Sequence, residues 1–463
     1  MSFEIDQISL QQAFREVIAS EDKLAIQEFL NNQNISDVAN LIYENPDYET
    51  PIISHLSIHR AASVFKILDI AVQKRIIKDL PPFKSAELLN ELPPDDRVAF
   101  LEELPTNTVR ELIKTLDPEE RKVTLELLGY PENSVGRLMT PDYVYVYEYN
   151  TVKEVLETIR RFGTNTETID VIYVIDKKGE LLDDIRIKDI ILASPEIKVN
   201  ELMDGRFISL HVNDDQEVAY EAFKMNNRVA LPVTDAKNIL LGIVTIDDVL
   251  WVAHEEFSED IQKIGGTEAL EEPYLDIGII RLVKKRAGWL VILFLGEMLT
   301  ATAMQFFQKE IEAATVLALF IPLIMSSGGN SGSQASTLII QAMALGELTI
   351  NDWWRVMKRE LISGLLLGII LGSIGFLRIL LWQNLHIFDY GVYWKLVAMT
   401  IFFSLTGIVL WGSLMGSMLP IILKRLKLDP AASSAPFVAT LVDVTGIVIY
   451  FSVAYFFLEG ILL

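Results

Sequence analysis

The sequence predicts a multidomain membrane protein built from an all-α helical superhelix, a duplicated α/β module pair and a polytopic α-helical membrane domain with five spans. Three observations predict it. The chain has 463 residues, 51% of them hydrophobic, and a mean hydropathy of +0.31, which suits several domains with part of the chain in lipid. Its charge is divided: residues 1–280 hold 53 Asp and Glu against 27 Lys and Arg, whereas residues 281–463 hold 10 against 13. Residues 135–254 repeat themselves. The net charge of −23 therefore belongs to the front of the chain. An acidic front argues against nucleic acid as a partner and suits divalent cations. With no cysteine present, disulfides and thiolate metal sites are excluded. Met1-Ser-Phe-Glu-Ile-Asp6 lacks the basic-then-apolar pattern of a signal peptide, so the front is expected in the cytosol.

Residues 1–134 carry short helical phrases: Ser85-Ala-Glu-Leu-Leu-Asn-Glu-Leu92, Asp96-Arg-Val-Ala-Phe-Leu-Glu-Glu-Leu104 and Val109-Arg-Glu-Leu-Ile-Lys-Thr-Leu116. Proline-containing breaks separate them at Pro81-Pro82, Pro93-Pro94 and Pro105. Helices this short, with Leu at i, i+3 or i+4, predict a stacked superhelix; an irregular helical bundle is the alternative.

Residues 135–248 contain the duplication. Leu138-Met-Thr-Pro141 is echoed by Leu202-Met-Asp-Gly205, and Asn150-Thr-Val-Lys-Glu-Val155 by Asn213-Asp-Asp-Gln-Glu-Val218. The run from Val174 to Asp189 matches Val233 to Asp248 at a constant offset. Each copy reads strand, helix, strand, strand, helix, and this order resembles a tandem pair of cystathionine-β-synthase-type (CBS) modules, a regulatory fold that often senses nucleotides. Gly242-Ile-Val-Thr-Ile-Asp-Asp248 fits that family's ribose-contacting pattern through Thr245 and Asp248. The first copy has Asp183, Arg186 and Asp189 instead, so the resemblance supports ATP binding in the second copy only.

Residues 249–280 form an acidic connection. Val249–Gln262 reads as one helix carrying Glu255, Glu256, Glu259 and Asp260. Spacings of three and four put these carboxylates on neighbouring faces, where each like-charged pair costs a few tenths of a kcal/mol. They can form a solvated face, or a divalent ion bridging them to another acidic surface can relieve the repulsion.

Residues 281–463 hold five apolar segments, near 287–307, 314–344, 361–382, 395–423 and 435–458, each near the roughly 20 residues a bilayer requires. Basic residues gather before the first (Arg281, Lys284, Lys285, Arg286), between the second and third (Arg355, Lys358, Arg359) and between the fourth and fifth (Lys424, Arg425, Lys427). This alternation places the front domains in the cytoplasm and the C-terminus outside. Asp443 is the ninth residue of the last span, roughly 12 Å deep by helical rise, and facing lipid it would cost several kcal/mol when ionised. Ala435, Ala439 and Asp443 share one face suited to close helix contact. In the second span, Ser326-Ser-Gly-Gly-Asn-Ser-Gly-Ser-Gln-Ala-Ser-Thr337 lies in a stretch without charge from Ala313 to Gly346. Its glycines permit either close backbone approach or a helix break, and Asn330, Ser333, Gln334 and Thr337 supply oxygen ligands. Irregular backbone at that depth is tolerated only under cover of protein or water. Oxygen donors with a carboxylate suit Mg, Ca or Mn. One Asp per chain is a thin site, so a two-fold dimer that brings two Asp443 side chains to one axis is expected.

With these residues assembled, the chain is similar to the MgtE family of magnesium transporters over nearly its whole length. The most specific pieces are Ser327-Gly-Gly-Asn-Ser-Gly-Ser-Gln334 with Thr337-Leu-Ile-Ile340, and Asp429-Pro430 followed by Ala439-Thr-Leu-Val-Asp-Val-Thr-Gly446. The resemblance implies a homodimeric plasma-membrane Mg2+ channel that closes when cytosolic Mg2+ is high. It gives Asp443 the recognition of hydrated Mg2+ and puts Asn330, Ser333, Thr337 and Ala439 beside the pore. It makes Val249–Gln262 a plug helix and has Asp95, Asp96, Asp247, Asp248, Glu255, Glu256, Glu259, Asp260, Glu312 and Asp429 available to regulatory Mg2+. Two departures stand out: Ser333 replaces an Asn of some members, and Asn227-Arg228 replaces an acidic residue and an aromatic. Two other readings stay open, a non-conducting CBS-containing receptor and a proton-coupled exporter using Glu297 and Asp443. An enzyme is not expected, since no nucleophile, base or phosphate-loop motif accompanies the five His residues.

Overall fold

The computed structural model describes residues 2–20, 22–270, 274–275 and 277–462, without the side chains of residues 2–9 and 165. Residues 271–273 and 276 of the expected linker, and Met1 and Glu21 of the expected N-terminal domain, lie outside the described residues. The chain forms two compact units, Met1–Glu255 and Glu256–Leu463.

The first unit begins with α1 (Ser2–Ala19), α2 (Lys23–Asn32), α3 (Ile35–Glu44), α4 (Glu49–His55) and α5 (Ile58–Phe65). It continues with α6 (Ile70–Asp79), α7 (Pro82–Glu91), α8 (Pro94–Glu102), α9 (Thr106–Thr115) and α10 (Pro118–Leu127). Proline opens α7, α8 and α10, where its missing N–H costs nothing. Helices pack on the next but one, α2 on α4, α3 on α5, α4 on α6, α5 on α7 and α8 on α10, which is the superhelix rather than an irregular bundle. Leu30, Ile42, Phe65, Ile76, Leu89 and Leu101 run through its continuous core.

A short α11 (Val135–Leu138) leads into the duplicated modules. The first holds β1 (Tyr145–Tyr147), α12 (Val152–Phe162), β2 (Val171–Ile175), β3 (Leu181–Arg186) and α13 (Ile187–Leu192). The second holds β4 (Leu210–His211), α14 (Gln216–Asn226), β5 (Ala230–Thr234), β6 (Leu240–Thr245) and α15 (Ile246–Ile264). In both, the first strand pairs in parallel with the second, which pairs antiparallel with the third. Even the hairpins repeat. Asp176 Oδ1 accepts the Lys178 and Glu180 amides, Asp235 Oδ1 accepts those of Lys237 and Ile239, and Gly179 and Asn238 take the left-handed position. The sequence-expected helix Val249–Gln262 is longer, because α15 starts inside the second module.

The second unit contains α16 (Ile279–Phe306), α17 (Gln308–Ala313), α18 (Thr315–Ala318), α19 (Ile321–Ala344), α20 (Trp353–Asn384), α21 (Trp394–Arg425) and α22 (Ala435–Leu458). Among the described residues, five stretches are long and apolar enough to cross a membrane. The second expected span divides at Leu319-Phe320 into α18 and α19. Helices α16 and α20 start earlier than hydropathy suggests, so Arg281, Lys284–Arg286, Arg355, Lys358 and Arg359 lie in their first turns; long basic side chains reach water from there. Helix α19 runs unbroken through the Gly/Ser motif. Close approach is therefore the answer to that motif, and its backbone carbonyls stay in helical hydrogen bonds. A Cβ at Gly412 or Gly416 of α21 would run into the carbonyls of Gly328 and Gly332.

Candidate functional site

Helices α19 and α22 pack together and bring the expected pore residues to one side. A Cβ built on Gly329 would lie 3.3 Å from the Ala439 methyl and 3.7 Å from Asp443 Oδ1, so the Asp443 carboxylate lies over the glycine-lined part of α19. Asn330 is exposed, and Ser333, Thr337, Ala439 and Asp443 are part-buried. Ser326, Asn330 and Gln334 recur every fourth residue as an exposed polar stripe. The Ser333 hydroxyl donates to the Ala435 carbonyl at 2.9 Å and Ser336 to that of Ser433 at 2.9 Å. Ser333 thus ties α19 to the start of α22 and keeps only lone pairs for any other ligand. Gly296 of α16 packs against Thr440 of α22, which puts the neighbouring Glu297 on the same stretch of the helix pair as Asp443. A face this polar on apolar helices needs protein or water over it at membrane depth.

A second group lies where α15 reaches the membrane helices. Gly266 packs on Trp289 and Pro436, and Trp289 Nε1 donates to Ser434 Oγ at 2.9 Å. Lys263 Nζ, one turn from Glu259, pairs with that carboxylate and with Asp429 Oδ2 at 2.7 Å. Asp429 Oδ1 also accepts the Ala431 amide at 2.8 Å. Burial, then the Asp429 charge, push Asp260 up to about 6, and Glu256 and Glu259 add to it. Glu256, Glu259, Asp260 and Asp429 are therefore brought together. Glu312 is not among them: it sits in α17 at the far end of α16 and accepts from Gln308 Nε2 at 2.8 Å.

A third group joins the first turns of α8 and α15 inside the first unit. Asp95 is 5% exposed, and its Oδ1 has no hydrogen-bond partner among the described residues. Burial first, then Asp248, Asp96 and Glu167, hold it well above the usual carboxylate range. Asp248 is pushed up to about 7, by burial and then by Asp247 and Asp96 against the Thr245 hydrogen bond. Thr245 Oγ1 lies 2.6 Å from both Asp247 Oδ1 and Asp248 Oδ2, so the two residues expected at a ribose already engage each other. Lys66, just after α5, sits 3.1 Å from Asp96 Oδ2 and 4.0 Å from Glu167 Oε1. Sequence reading missed Lys66, Glu167 and Lys263. Only Lys263 carried a signal, its spacing of four from Glu259.

Among the described residues, no three His, Asp or Glu side chains are arranged to hold a metal ion directly. The carboxylates fit an ion that keeps much of its water, as Mg2+ does; the orphaned Asp95 oxygen and the mutual repulsion mark where positive charge is wanted. Arg228, at one of the two departures, ion-pairs with Asp184 of the first module at 2.7 Å, beside the buried Tyr173.

A family model described as a divalent cation transporter, MgtE, matches residues 321–453. The MgtE intracellular N domain model matches 33–133, and the CBS domain model matches 135–196 and 199–255. The chain is 41% identical over 349 residues to a magnesium transporter MgtE of Thermus thermophilus, covering 75% of each. It is 27% identical over 426 residues to one of Bacillus subtilis, covering 92% of each. A crystal structure of the cytosolic domain of the Mg2+ channel MgtE in complex with ATP is similar at TM-score 0.51 and 34% identity, covering 52% of this chain and 99% of that one.

Proposed function

This chain belongs to the MgtE family, and from that premise we propose that it is a homodimeric Mg2+ channel of the plasma membrane, closed by cytosolic Mg2+. The observation that carries the reading is the polar face of α19 and α22, with Asp443 over Gly329 and Asn330 exposed beside it. Two such faces around a two-fold axis make a conduit lined by carboxylates, amides and hydroxyls. Asp443 attracts the dication through its water shell, since Mg2+ dehydrates reluctantly; Asn330, Ser333 and Thr337 accept hydrogen bonds from that water. The loop charges orient the acidic domains to the cytoplasm and the C-terminus outward.

Closure follows from electrostatics. The groups at Asp95, Asp96, Asp247 and Asp248, and at Glu256, Glu259, Asp260 and Asp429, repel internally without dications. Bound Mg2+ relieves that repulsion and draws the pieces together. Thr245 and Asp248 make the second module the candidate nucleotide site, in keeping with the ATP complex of the similar cytosolic domain.

Uptake of Mg2+ into proteoliposomes of the full chain tests both parts. Wild type is expected to conduct at low internal Mg2+ and to slow as internal Mg2+ rises. Asp443→Ala is expected to abolish flux, and alanine at Glu255, Glu259 and Asp260 together to leave flux that internal Mg2+ suppresses weakly. Flux untouched by Asp443→Ala would sink the pore. The packing of Gly296 against Thr440, which puts Glu297 and Asp443 on one stretch of the α16 and α22 pair, favours one second reading, proton-coupled export; flux that tracks a pH gradient rather than the Mg2+ gradient would support it.

A further inference from the structure

The carboxylate cluster of the first unit already contains a cation of the chain's own. Lys66 reaches Asp96 at 3.1 Å and Glu167 at 4.0 Å, and Asp247 acts on it as well. Asp95, whose buried Oδ1 has no partner among the described residues, completes the cluster with Asp248. We propose that Lys66 is a tethered counter-ion that competes with the dication for this cluster and sets the Mg2+ concentration at which the cytosolic unit becomes compact. The inference rests on the Mg2+-closure reading above and adds a residue which tunes its threshold.

The cluster holds five carboxylates and one ammonium, so the site is attractive to a dication and only partly neutralised without it. An ammonium is a compact, strongly hydrated point charge on a flexible stem, able to hold Asp96 and Glu167 and to leave when a doubly charged ion arrives. Lys66 belongs to the superhelix, Glu167 to the first module and Asp247 to the second. Each of these parts is thus held weakly together before any ion binds. A dication must displace or repel the ammonium, which raises the concentration needed.

The test uses the full chain in detergent, with Mg2+ titrated against chymotrypsin digestion, which does not cut at lysine. Lys66→Met is expected to lower the Mg2+ midpoint for protection at least about threefold. Lys66→Arg should leave it within about twofold, since the charge is kept. Glu167→Gln should raise it. Mn2+ binding followed by electron paramagnetic resonance should shift the same way, and it does not depend on closure. A midpoint unchanged or raised in Lys66→Met, with wild type protected, overturns the counter-ion and leaves Mg2+ closure standing. Wild type that Mg2+ does not protect overturns closure, and the counter-ion with it. If Lys66→Met fails to fold, the opposite shift in Glu167→Gln decides; no shift there overturns the proposal.

Discussion

Arg97 and Asp95 stand two residues apart on α8 and meet opposite conditions. Arg97 is 1% exposed, and its two Nη atoms donate to the Leu92 carbonyl at 2.8 Å, Glu120 Oε2 at 2.5 Å and Thr124 Oγ1 at 3.1 Å. Arg97→Ala leaves the Leu92 carbonyl and Thr124 hydroxyl without their buried donor, which should cost about 1–3 kcal/mol, read as a lower urea midpoint of the first unit. Asp95 has the reverse problem, a buried oxygen without a donor. Its pKa is raised, and that of Asp248 is raised from 3.8 to about 7. A carboxyl held above its unfolded value binds its proton more tightly when folded, so the contribution is complete below pH ~4 and lost as pH rises through about 7. In buffer without dications, raising pH from 5 to 7.5 should therefore lower the stability of the first unit by at least ~1 kcal/mol, about the value of one pKa unit. Asp95→Asn should flatten that slope; an identical slope in the variant would remove the cluster as its source. Asp95 and Asp96 were legible as an acidic pair after Pro93-Pro94. Arg97 stands in the sequence only as part of a short helical phrase, and nothing local says that α10 covers it.

Among the elements, α19 and α21 show what the Gly/Ser motif does. Their backbones meet at Gly328 with Gly412 and at Gly332 with Gly416, closer than any side chain allows, and Ser331 Oγ lies 2.8 Å from Ser413 Oγ across the same seam. Gly412→Val or Gly416→Val would push two helices apart, an overpacking of about 1–3 kcal/mol or more. We expect loss of the monodisperse species in size exclusion and loss of Mg2+ flux. Gly407→Ala, whose Cβ would meet only Ile449 at 3.5 Å, should behave as wild type and serves as the control. The apolar spans were legible because hydropathy reports directly on burial in lipid, and α22 runs over the expected residues 435–458. The ends of α16 and α20 were not, because their first turns are amphipathic and charged. The choice between a helix break and close approach at Ser326–Thr337 depended on the glycines of α21, more than seventy residues away.

For the whole molecule, the face shared by α19 and α22 carries polar groups that need cover at membrane depth. Phe456, Leu366 and Leu377 are exposed and apolar, as lipid-facing residues should be. Asn330 and Gln334 are exposed and polar, and Asp443 is only part-buried beside them. Hydrocarbon cannot satisfy those groups, and a second copy can, by presenting the same face across a two-fold axis. The absence of cysteine makes the consequence directly measurable. Single cysteines at Asn330, Gln334 or Ala439, in membranes treated with a short bifunctional thiol reagent, should give a dimer band, while cysteines at Leu366 or Phe456 should not. The reagent is preferable to direct oxidation, since a disulfide demands Cα atoms within about 7 Å and a water-filled axis would hold them farther apart. Bands at all five positions would signal random collision, and a band at Phe456 alone would move the interface to the other side of α22. Crosslinks confined to the polar face would join the charge at Asp443 to a shared axis, which one chain cannot build by itself.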